Sequence, residues 1–63
     1  MNEIIETLEN IERQLHEAAE DAMKFDQGYN SAGTGVRKAM QNIKGLAQQV
    51  RLEVQAQKNG VPA

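Results

Sequence analysis

The sequence has no cysteine and no tryptophan, and it has one tyrosine, one phenylalanine and one proline in 63 residues. Without cysteine there is neither a disulfide nor a thiolate metal site. Two aromatic rings add little stacking to any core. The single proline, Pro62, lies at the far end of the sequence, so no ring interrupts a helix before it. Long apolar runs are also missing. An acid recurs every three or so positions from Glu3 to Glu12, which fits neither a signal peptide nor a membrane span and leads to the expectation of a soluble, intracellular chain.

Size adds a further constraint. Residues 1–63 make one domain at most, and below roughly 70 to 80 residues a core rarely supplies more than about 3 to 5 kcal/mol without a disulfide, a metal or a partner. Association with a second copy is therefore expected. The net charge of −2 hides an asymmetry. Residues 1–30 carry eight acids against Arg13 and Lys24, whereas residues 31–63 carry Arg37, Lys38, Lys44, Arg51 and Lys58 against Glu53 alone. Either the halves neutralise each other or the basic half has an anionic partner.

What the sequence does contain is helical periodicity. Ile4, Leu8, Ile11, Leu15, Ala18, Ala22 and Phe25 recur at alternating intervals of four and three, an unbroken heptad seam. Asn2 is placed to cap this helix, with Glu3 and Glu6 at the positive end of its dipole. Lys24 and then Gly28 mark its end. The same alternation returns in Val36, Met40, Ile43, Ala47, Val50, Val54 and Gln57. Asn30, Ser31 and Thr34 are candidate caps for this second helix, and Lys58, Asn59-Gly60 and Pro62 give a basic last turn, a left-handed cap and a breaker.

The fold class expected is all-α: helix 1 over about 3–26, a bend over about 27–31 and helix 2 over about 31–58, folded as an antiparallel two-helix hairpin. The two seams then face each other, with Phe25 brought against Gly33 and Val36, and Ala18 and Ala22 against Met40 and Ile43. Ile5, Ala19, Ala39 and Leu46 flank the seams and widen the apolar face beyond what two helices cover. A twofold dimer of hairpins, a four-helix bundle, is the expected solution.

Little in the chain suggests catalysis. The segment from Gly28 through Gly33 to Thr34 has part of a phosphate-loop spacing, but no lysine precedes the threonine and no strand precedes the glycine. Backbone N–H groups of Gly33, Thr34 and Gly35 near a helix start are candidates for one phosphate contact, while the same glycines equally serve a tight bend and close helix contact. His16 has Glu12 and Glu20 one turn away on either side. A carboxylate bundle site needs a glutamate three residues before the histidine, and Arg13 stands there, so His16 reads as part of a charged, solvated face. No nucleophile, base and orienting partner occur together, and neither a cofactor nor a small-molecule substrate is expected.

The cations carry more information. Arg37, Lys44, Arg51 and Lys58 are spaced seven apart, forming one stripe along helix 2, with Lys38 beside its first member. Adjacent members lie roughly 10 Å apart at about 1.5 Å per residue. Such a row suits phosphates without reading sequence. It equally suits pairing with Glu12, Asp21 or Asp26 across a bundle, and spacing alone does not choose. Arg37 and Lys38 near the start of helix 2 oppose its dipole, which a sequence selected for stability alone would avoid.

The segment Ser31-Ala32-Gly33-Thr34-Gly35-Val36-Arg37-Lys38-Ala39-Met40-Gln41, followed by Ile43-Lys44, Leu46-Ala47 and Arg51 with Glu53, resembles the small bacterial linker-histone-like proteins. Members carry a segment like Gly-Asn-Lys-Ala-Ala-Gly-Thr-Arg-Val-Arg-Lys-Ala, then a helix with basic residues in similar places and a Lys-Asn ending that Lys58-Asn59 matches. The resemblance covers about residues 24–59. It implies non-specific DNA binding and nucleoid compaction in the cytoplasm, without a cofactor, and places that role on Arg37, Lys38, Lys44, Arg51 and Lys58. Gly35 stands where the family tends to have arginine and Tyr29 where it has asparagine, and residues 1–63 hold no lysine-rich tract like the tail of larger members. Weak, salt-sensitive binding is the expectation, or a scaffold retained without the activity. The other reading is a helical assembly module that binds no nucleic acid.

Overall fold

The computed structural model describes residues 3–60, which form two α-helices, α1 (Glu3–Asp26) and α2 (Ser31–Gly60). The expected cap Asn2 and breaker Pro62 lie outside the described residues. Phe25 meets Gly33 at one end, and Thr7 meets Glu53 near the other, so the helices run antiparallel as a hairpin. The hairpin measures 55 × 15 × 10 Å. Among the described residues, no helix is long and apolar enough to cross a membrane.

The bend is a complete C-terminal cap built on Gly28. Its φ of 102° is the one positive value among the described residues. Tyr29 N–H donates to the Lys24 carbonyl at 3.0 Å and Gly28 N–H to the Phe25 carbonyl at 3.0 Å, the paired 6→1 and 5→2 bonds of a Schellman motif. A Cβ at Gly28 meets no neighbouring atom, so the demand for glycine there is conformational, not steric. Gly28→Ala should therefore lower stability by about 1 kcal/mol, the left-handed penalty of an L-residue. Thermal denaturation of the two proteins at equal concentration measures this. The α2 end differs from expectation: the helix continues through Asn59 and Gly60 with no left-handed glycine there.

The contact between the helices is rotated from the expected seams. Ile4, Ile11 and Ala18 do face α2, and Val36, Ile43 and Val50 do face α1. Their companions on α1 are Thr7, Gln14 and Asp21, whereas Leu8 and Leu15 are 49% and 50% exposed. On α2 the companions are Ala39, Leu46 and Glu53, and Met40 and Val54 are turned out. The reason is steric. With Ala18 and Ala39 both 6% exposed at the centre, and Gly33 so close to Phe25 that a Cβ there would lie 2.8 Å from its ring, the backbones approach most closely along this shoulder. A heptad stripe lies between two flanks, and a two-helix contact needs only one of them.

Candidate nucleic-acid interface

The polar companions in that contact decide where the charges go. The Thr7 hydroxyl, on a 5% exposed residue, lies 3.0 and 3.2 Å from the two Glu53 carboxylate oxygens and 2.9 Å from the Glu3 carbonyl. The Gln49 side-chain amide donates to Glu53 Oε2 at 3.1 Å and lies 3.4 Å from the Thr7 oxygen. With one proton to give, the hydroxyl serves one acceptor at a time while receiving from Gln49. These bonds fix the helix register near the open end of the hairpin. They also hold Glu53, the sole acid of the second half, against α1.

Arg37, Lys44, Arg51 and Lys58 are all exposed, along one edge of the uninterrupted α2, and Lys38 is exposed one position round the helix. At about 1.5 Å per residue the row spans about 32 Å. Each interval of roughly 10 Å corresponds to about three steps of a duplex strand at about 3.4 Å per charge. None of the side-chain hydrogen bonds among the described residues engages these five cations. Of the three acids expected as alternative partners within the hairpin, Asp21 is turned onto Gly35, Glu12 is exposed on α1, and Asp26 lines a hollow at the bend with Arg37, Phe25 and Val36.

The glycine segment is part of the helix–helix contact. Gly33, Thr34 and Gly35 all lie inside α2, and the Gly33 N–H already donates to the Asn30 carbonyl at 3.1 Å. Gly33 and Gly35 face Phe25 and Asp21, whereas Thr34 is exposed. The Asp21 carboxylate fills the place of a Gly35 Cβ. An arginine at that position would point towards α1 and displace Asp21, and so would add nothing to the row of cations. His16 is exposed, and among the described residues no group of three or more His, Cys, Asp or Glu is placed to hold a metal.

Apolar periodicity does not reveal the polar clasp of Thr7, Gln49 and Glu53. Its signal was present: Thr7, Gln14 and Asp21 recur at seven-residue intervals, beside the single acid of the basic half. A family model described as Histone H1-like protein Hc1 matches residues 5–60 of the chain. No curated protein and no solved structure matches it.

Proposed function

Since the chain belongs to the Histone H1-like protein Hc1 family, we propose that it is a small histone-like protein that binds DNA non-specifically through the α2 row and compacts the nucleoid of the cytoplasm. The observation that carries this reading is the row itself: four exposed cations at seven-residue intervals on one continuous helix, with Glu53 drawn away to Thr7. Guanidinium and ammonium groups so spaced neutralise backbone phosphates and release counterions, which gives affinity without base readout. Arg37, Lys44, Arg51 and Lys58 supply the phosphate contacts, Lys38 supports the first of them, and Thr34 adds one hydroxyl beside the bend. The role is one of binding, with no catalytic step, cofactor, small-molecule substrate or membrane contact.

The working unit is a homodimer. Leu8, Leu15, Met40 and Val54 are each at least 40% exposed on a hairpin whose buried apolar residues, among those described, are Ala18 and Ala39. A core so thin calls for a second apolar face over it, as in a four-helix bundle.

A gel shift with duplex DNA tests the binding. Retention is expected near about 20 mM salt, and Arg37→Glu with Arg51→Glu should abolish it, because two attractive phosphate contacts become repulsive. Absence of retention by the unaltered protein, with a salt-sensitive dimer, would instead identify an assembly module that binds no nucleic acid.

A further inference from the structure

The two long edges of the hairpin carry different chemistry. At about 100° per residue, the exposed Glu6, Glu9, Glu17 and Glu20 stand on the side of α1 turned away from α2. By the same count, the side of α2 turned away from α1 carries Thr34, Gln41, Gln48 and Gln55, all exposed and spaced seven apart. The row of Arg37, Lys44, Arg51 and Lys58 lies immediately beside them. A duplex drawn to those cations and repelled by the α1 glutamates therefore meets this crest of α2 first.

The crest differs from an ordinary solvated helix face. Each cation has a crest residue three positions before it, a place from which a glutamate would pair with it along the helix. Three amides and one threonine stand there instead. Gln55 donates to Asn59 within α2 at 3.4 Å, whereas none of the side-chain hydrogen bonds among the described residues engages Gln41 or Gln48. Beside the crest, between those two amides, is Gly45. Glycine in a helix interior is disfavoured against alanine, and a Cβ at Gly45 would meet nothing within 4 Å, so the hairpin itself has no need of it. Together with Gln41, Lys44, Gln48 and Arg51 it lines an open hollow on α2. The bare backbone lets an outside body come close.

Resting on the DNA reading above, we infer that Gln41 and Gln48 contact base edges in the major groove and give the protein a preference for duplexes with adenine there. The major groove, about 12 Å wide, admits one α-helix. A glutamine amide both donates and accepts, which matches the N6 donor and N7 acceptor that adenine presents together on that side. Seven residues separate the two amides by roughly 10 Å, or about three base-pair steps at about 3.4 Å. Gly45 lies between them where the groove wall passes, and the cation row holds the phosphates alongside. Affinity stays with the cations, while the amides rank one duplex above another.

Kd measurements at one fixed salt concentration test this with three duplexes of equal length: alternating A·T, alternating G·C, and the A·T duplex with 7-deazaadenine, which lacks the N7 acceptor but keeps the phosphates and the minor groove. The unaltered protein should bind the A·T duplex at least about fivefold more tightly than either of the others. Gln41→Ala with Gln48→Ala should bring the three to within about twofold of one another and leave the salt slope on A·T unchanged, because no phosphate contact is lost. Gly45→Leu, which improves helix propensity, should keep the circular dichroism of the hairpin and weaken binding to all three at least about fivefold. Equal binding of the three duplexes by the unaltered protein, a preference that survives loss of both amides, or a Gly45→Leu protein that binds as well as the original would overturn the inference and leave the phosphate contacts standing. Retention of none of the three would overturn the DNA reading itself, and the inference with it.

Discussion

Ala39→Leu should lower the melting temperature by about 8 to 16 °C, following from about 2 kcal/mol of overpacking and about 4 to 8 °C per kcal/mol in a domain of this size. Ala39 is 6% exposed on the side of α2 that faces α1, and Ala18 on α1 is equally buried. A leucine there cannot be absorbed by repacking, because few buried side chains surround it to move. The helices must separate, and separation also pulls Phe25 from Gly33 and Thr7 from Glu53. A loss of about 2 kcal/mol is a large part of the about 3 to 5 kcal/mol that so small a core provides. Gln41→Leu, on an exposed position two residues on, should stay within about 0.5 kcal/mol. Melting both variants at one protein concentration removes the contribution of dimerisation. If Ala39→Leu melts with the unaltered protein, the close approach of the helices is wrong.

Raising the salt from about 50 to about 200 mM should weaken DNA binding on the order of 500-fold. Five cations meeting five phosphates give a slope of log affinity against log salt of about −4 to −5, at about −0.9 per phosphate. Such steepness in so acidic a protein is unexpected from its net charge of −2. It follows from the separation of the charges. Seven of the eight acids of the first half, Glu3, Glu6, Glu9, Glu12, Glu17, Glu20 and Asp26, are exposed on α1, while the five cations of the second half line the opposite helix. A protein binding through net charge alone would bind DNA poorly at any salt.

Much of the hairpin is legible in the residues, because heptad intervals and a cap glycine act locally. Lys24 followed by Gly28 specifies where α1 stops, and the seven-residue spacing of Arg37, Lys44, Arg51 and Lys58 specifies one edge as soon as α2 is a helix. The opposition of Phe25 and Gly33 follows from folding two helices back at Gly28. The rotation of the helices about their own axes was not legible. Leu8 and Thr7 flank the same stripe, and apolar pattern favours Leu8. Close approach at Ala18 and Ala39 favours Thr7, an effect of small residues on two helices at once that no single helix displays. For the same reason Glu53, read alone, is an ordinary acid in a basic helix. Its partners, Thr7 and Gln49, appear only after the register is known.

The extension of α2 through Gly60 has a similar origin. Asn59-Gly60 is a stop signal in local terms, but no left-handed turn forms there. Lys58 is thereby followed by two further helical residues, and its spacing from Arg51 along the helix is preserved.

The most direct test of phosphate contact by the α2 row is the salt slope of single neutralised variants. Arg37→Gln, Lys44→Gln, Arg51→Gln and Lys58→Gln should each flatten the slope by about 0.9, while Arg13→Gln and Lys24→Gln on α1 should leave it unchanged. A slope that ignores the α2 substitutions, or that responds equally to those on α1, would contradict it.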